Sequence, residues 1–208
     1  MATAETPAWR VLLIGGNSGS GKTTVASQLG RRFGVAWAQV DDFRLALQRV
    51  TTPTDRPALH FFVTERVWDL PAERLCVGLI GTAEVVSEAI RVVIAHHVLT
   101  PHPLILEGDG LTPAVAAAHM YADAETRGHV RAVFLCEDDE EVLLGSMLAR
   151  GRGFRERNEA EQRTQGRASR LYGQWLRAEC ERHRIPVLPA RPRETILGRV
   201  LTDLGRGT

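Results

Sequence analysis

Lysine is almost absent from this chain. Of its 26 basic residues 25 are arginine, and the single lysine is Lys22. A surplus of charge of either sign is absent too. The 26 basic residues face 25 acidic ones, net +1, so the overall charge that favours a nucleic-acid partner is missing. Cysteine is scarce, with three residues (Cys76, Cys136, Cys180) far apart and no C-x-x-C pair. Neither a disulfide framework nor a thiolate metal site is therefore expected, and Cys136 reads as a small buried hydrophobe. No apolar run is long enough to span a bilayer. Met1 to Trp9 lack the basic start and greasy middle of a secretory leader, so no membrane partner and a cytoplasmic location are expected. What is present is ordinary for a globular chain: 44% hydrophobic and 25% charged residues, which exclude disordered and fibrous classes. The length suits one domain, 1–208.

The lone lysine sits in a specific context. Val11-Leu12-Leu13-Ile14 reads as a strand buried on both faces. Gly16-Asn17-Ser18-Gly19-Ser20-Gly21-Lys22-Thr23 follows at once and fits G-x-x-x-x-G-K-[ST]. Apolar residues at 25, 26, 29 and 33 then give a helical face. Glycines let consecutive N–H groups converge on phosphates, and the helix N-terminus adds partial positive charge. Lys22 supplies a compact ammonium for the outer phosphates, and the Thr23 hydroxyl is placed to bind Mg²⁺. Gly16 through Thr24 are the expected nucleotide contacts.

Val35 to Val40 reads as a second strand ending in Asp41-Asp42-Phe43-Arg44. Ligands of an open parallel sheet sit beyond the carboxyl ends of its strands. One of the two aspartates can there take a proton from an acceptor hydroxyl or hold a water of the magnesium shell. Alternatively the pair caps a helix beginning near Phe43.

The glycine loop, first helix and V-D-D-F-R strand end resemble small-molecule kinases of the nucleoside-monophosphate-kinase-like P-loop branch, in particular chloramphenicol phosphotransferase and 2-phosphoglycerate kinase. Uridine kinases carry a similar D-x-F. The resemblance implies ATP and Mg²⁺ as cofactors and Asp41 as the base, with Asp42 and Arg44 toward the acceptor. It also implies a five-stranded parallel sheet covered by helices on both faces, an acceptor-binding insertion over about 43–100, and a lid over about 150–168. Asn17 stands where those relatives often have Ser, and residues 45–100 show no acceptor-specific signature.

Thr51 to Pro57 reads as loop. His60, Phe61, Phe62 and Trp68 line a candidate acceptor pocket or a core patch. Pro71 to Leu99 reads as helix, with a possible break at Gly78 or Gly81. Leu104-Ile105-Leu106 is a third strand leading into Glu107-Gly108-Asp109. Glu107 is expected at metal water or an acceptor hydroxyl, and Asp109 at the acceptor mouth.

Val130 to Cys136 is a fourth strand, and the acids from Glu137 to Glu141 complement the dipole of the next helix. Between 150 and 170 lie seven arginines and three glutamates. Arg150, Arg152 and Arg155 are the expected lid contacts to the moving phosphoryl group, with Gly151 and Gly153 as hinges. Ile185 to Leu188 is a fifth strand. By the resemblance, Arg191 and Pro192 in the loop after it pack on the nucleotide base.

Strands and helices alternate about five times, which argues for a parallel sheet. The expected activity is transfer of the ATP γ-phosphoryl group to a hydroxyl of a metabolite or antibiotic, by a monomer or homodimer. Alternatives are a nucleoside or nucleic-acid end kinase, a toxin acting on a nucleotide sugar, and a non-catalytic ATP-binding switch.

Overall fold

The computed structural model describes residues 6–63, 67–120, 128–151 and 154–205. Strand β1 (Val11–Gly16) enters the glycine loop and then helix α1 (Lys22–Phe33). β2 (Ala36–Gln39) is followed by α2 (Val40–Val50), the short α3 (Pro57–His60) and the long α4 (Ala72–Val98). β3 (Leu104–Glu107), α5 (Pro113–Met120), β4 (Val130–Cys136), α6 (Glu140–Arg150), α7 (Glu159–His183), β5 (Val187–Pro189) and α8 (Ile196–Gly205) complete the order.

The sheet runs β2-β3-β1-β4-β5, and every pairing is parallel. β1 is therefore central, and Val11 through Gly16 are all buried. Side chains alternate across a strand. Val11 and Leu13 join one apolar layer with Ile90 of α4, Val115 of α5 and Leu176 of α7. Leu12 and Ile14 join the other, with Val25 and Leu29 of α1 and Val200 of α8. Two buried faces explain why β1 and β4 are nearly continuous hydrophobic runs. Because β1 and β3 are neighbours in register, with Ile14 opposite Glu107, the glycine loop and the Glu107–Asp109 turn leave the sheet side by side.

The boundaries differ from the sequence expectation in three places. β2 ends at Gln39, and Val40 opens α2, so Asp41 and Asp42 lie in the first helical turn and not on the strand. Carboxylates are favoured there by the helix dipole. β5 is shifted to Val187–Pro189. α4 is not broken at Gly78 or Gly81 but runs 27 residues. Gly78 serves packing: the Phe61 ring occupies the space a Cβ would need. Of the acids read as opening α6, Glu140 and Glu141 lie in its first turn and Asp139 caps it, whereas Glu137 and Asp138 precede it and pair with Arg191 and Arg177. Asp139 Oδ1 accepts from the N–H groups of Glu141 (3.0 Å) and Val142 (3.2 Å).

Candidate active site

The glycine loop is held in shape by its own lysine. Lys22 is 2% exposed. Its Nζ donates to the Asn17 carbonyl at 2.8 Å and lies 2.5 Å from Asp109 Oδ1. Gly21, with φ 89°, turns the chain into α1, a left-handed conformation that glycine adopts without penalty. Gly16 is also left-handed, and the Leu135 carbonyl leaves no room there for a Cβ. Ser20 Oγ is buried without a protein hydrogen-bond partner.

Asn17 is buried, and its side chain does not face a ligand. Nδ2 donates to the carbonyls of Glu137 (2.9 Å) and Ser169 (3.1 Å), and Oδ1 accepts from the Glu137 N–H at 3.1 Å. The side chain thus ties the loop to the end of β4 and to α7. Ser18 is bound the same way, its carbonyl accepting from Ser169 Oγ at 3.1 Å. Gly173 completes the dock: a Cβ there would come 2.8 Å from Asn17 Nδ2.

Thr23 Oγ1 donates to Glu107 Oε1 at 2.9 Å, joining the loop to the end of β3. Glu107 is buried, and burial raises its pKa above the ordinary value. The Lys22 charge and the Thr23 hydrogen bond oppose that rise, Asp109 adds to it, and Arg150 lowers it. A hydroxyl beside a carboxylate is an oxygen donor pair suited to Mg²⁺, which keeps water and phosphate oxygens as its other ligands. No cluster of three or more His, Cys, Asp or Glu suited to a metal occurs among the described residues.

Two cavities open beyond these groups. The first, about 260 Å³, is polar and bounded by Lys22, Thr23, Glu107, Asp109 and Arg150. The second, about 340 Å³, is walled by Leu79, Val86, Phe62 and Trp68. They share Ser18, Asp41, Arg44, Asp109, Met147 and Gln165, so they form one cleft with a charged end and an apolar end. Asp41 stands at the junction, where its Oδ1 accepts from Arg44 Nε at 3.3 Å.

Other expected contacts fall outside this cleft. Asp42 is exposed and lines neither cavity. His60 is buried, with Nε2 3.0 Å from Thr51 Oγ1, and belongs to the packing between α2 and α3. Thr24 is exposed on α1. Arg155 is exposed, and its Nε donates to the Leu148 carbonyl at 2.8 Å, which turns it back on α6. Arg152 and Gly153 lie outside the described residues. Arg191 Nε pairs with Glu137 Oε2 at 3.1 Å, and Arg191 and Pro192 border a shallow depression separate from the cleft. Arg193 reaches the glycine loop from that segment, 3.5 Å from the Gly19 carbonyl.

Residues on α7 and before it were not singled out from sequence. Gln165 lines both cavities, and Arg157 hydrogen-bonds to it. The Arg157 guanidinium lies 3.4 Å from the Trp68 ring centroid, and desolvation by burial lowers its pKa. Tyr172, fully buried with its pKa pushed up by burial, donates to the Asp109 carbonyl at 2.6 Å.

No family model matches the chain, and no curated protein matches it. Among solved structures it is similar to a deoxyadenosine kinase from M. mycoides, at 10% identity and TM-score 0.51, with 94% of this chain and 99% of that one covered. It is also similar to a gluconokinase from Sinorhizobium meliloti 1021, at 16% identity and TM-score 0.49, with 97% and 94% covered. A shikimate kinase from Acinetobacter baumannii, at 16% identity and TM-score 0.47, is covered to 94%, as is this chain. The likeness to the deoxyadenosine kinase shows a shared α/β fold. No helix among the described residues is long and apolar enough to cross a membrane.

Proposed function

We propose that the protein is an ATP- and Mg²⁺-dependent kinase that transfers the γ-phosphoryl group to a hydroxyl of a small molecule. One observation carries this reading: the glycine loop with Lys22 and Thr23 opens into the same cleft as Asp41, which stands where the polar end meets the apolar chamber. A switch that only binds nucleotide has no use for a chamber with a carboxylate at its mouth.

Lys22 exchanges Asp109 for the β- and γ-phosphates, and the loop amides hold the same oxygens. Thr23 and Glu107 are the residues that would hold Mg²⁺, which would supply positive charge against the transferring group. Asp41 accepts the proton of the acceptor hydroxyl as its oxygen bonds to the γ-phosphorus. The bond from that phosphorus to the β–γ bridging oxygen breaks, and ADP leaves. Arg150, at the end of α6 beside the polar cavity, stabilises the charge that develops. The segment after Arg150 serves as the lid.

Single-turnover kinetics of Asp41→Asn test the assignment. Loss of a general base lowers the chemical step by roughly 10²-fold or more, with ATP binding kept. Near-full transfer by Asp41→Asn, with loss in Asp109→Asn, moves the base to Asp109.

A further inference from the structure

An ammonium has three N–H bonds to give. Lys22 uses one within the glycine loop, on the Asn17 carbonyl, and a second on Asp109 Oδ1. Two neighbouring phosphates take two N–H bonds. With the Asn17 contact kept, one bond remains for them, so the one on Asp109 has to be given up. Charge works in the same direction. A phosphate that approaches Lys22 while Asp109 holds it meets a carboxylate at contact distance, and like charges so close repel. Glu107 is near enough to feel the charges of both Lys22 and Asp109, but its own contact is to Thr23.

Asp109 is placed so that it can leave. Its side chain is one-third exposed and lines both ends of the cleft. Its backbone is fixed. Buried Tyr172 donates to the Asp109 carbonyl at 2.6 Å, and the Gly108 N–H donates to the Ile14 carbonyl of β1 at 3.2 Å. Both anchors act on the main chain, so the carboxylate can turn away while the turn that carries it stays in place. Once away from Lys22 it remains in the cleft, in the lining it shares with Asp41.

We infer that Asp109 is an internal competitor for the phosphate site: it holds Lys22 in the free protein and weakens the binding of outer phosphates by the strength of that contact. This rests on the kinase reading above, in which the glycine loop takes ATP. The arrangement has two effects. A buried ammonium keeps a counter-charge while the site is empty. Phosphate binding then releases a carboxylate toward the chamber, so occupancy of one end of the cleft changes the charge at the other.

Calorimetry of the full chain with pyrophosphate, in the absence of Mg²⁺, tests this. Asp109→Asn should bind pyrophosphate at least about tenfold tighter than the parent. In a Lys22→Ala background the same change should alter affinity by no more than about twofold, because the competition needs the ammonium. Asp109→Ser takes the place of Asp109→Asn in both arms should the latter fail to fold. Unchanged or weaker pyrophosphate binding in Asp109→Asn overturns the inference. So does a gain of equal size in the Lys22→Ala background, which marks general repulsion and not competition for one contact. If that happens while ATP·Mg²⁺ binds the parent and is lost in Lys22→Ala, the kinase reading stands. Binding of neither pyrophosphate nor ATP·Mg²⁺ to the parent or to Asp109→Asn removes both.

Discussion

Lys22 Nζ lies 2.5 Å from Asp109 Oδ1, and the lysine is 2% exposed while the aspartate is one-third exposed. The only ammonium side chain of the molecule is thus stored against a carboxylate at the mouth of the cleft. A phosphate that takes Lys22 must compete with that contact.

Asp109→Asn should therefore destabilise the free protein more than the nucleotide complex. Removing one partner leaves a buried cation incompletely compensated, which costs about 1–3 kcal/mol after allowance for the exposed side of Asp109. For a chain of this size each kcal/mol lowers Tm by roughly 2–4 °C. Thermal melts with and without ATP·Mg²⁺ check this, and the deficit should shrink when nucleotide gives Lys22 a new partner.

Glu107 sets a pH dependence. Desolvation raises its folded pKa above the ordinary 4.5, so between the two values the folded state holds more protons than the unfolded one. Stability from this group is complete below the ordinary value and is lost as pH rises through the folded pKa. Glu107→Gln keeps an acceptor for Thr23 and removes the charge. Its Tm should match the parent below the ordinary value and exceed it as pH rises above that value, while Mg²⁺-dependent transfer falls.

Asn17→Ala should cost about 2–4 kcal/mol, because it strands the Glu137 N–H and two carbonyls in a buried place. Gly173→Ala presses on the same amide from α7 and should lower Tm in the same direction. Urea melts of both variants, and of the double variant, test whether the two act on one contact. If they do, their costs will not add.

Arg150→Ala and Arg155→Ala should part company. Arg150 borders the polar cavity, and its loss should lower kcat by about 10²-fold. Arg155 is exposed and tied to the Leu148 carbonyl, so its removal should leave kcat within about twofold and stability within about 0.5 kcal/mol. Steady-state kinetics on one acceptor compare them directly.

The fold was legible because its signals are local. Val11 to Ile14 and most of Val130 to Cys136 are apolar on both faces, the pattern of strands in a covered parallel sheet. The glycine loop was legible for the same reason: its spacing is its geometry. The acceptor end was not. Phe62 and Trp68 stood out as aromatics, but His60, two residues from Phe62, turns to Thr51 and not to the cleft. Nothing in the sequence tells those orientations apart. Asn17 looked like a departure in a ligand-binding loop, and only the placement of α7 shows the carbonyl it holds. Arg157 was lost among seven arginines, since stacking on Trp68 depends on where the chain folds back.

A chain with a single ε-amine has a consequence for chemical labelling. An amine-directed acylating reagent finds one side chain, Lys22, besides the α-amino group of the chain terminus. That side chain is enclosed and ion-paired, so modification requires it to leave Asp109 first. The protein thereby carries a built-in reporter of its glycine loop, and the rate at which that one amine reacts measures how often Lys22 leaves Asp109.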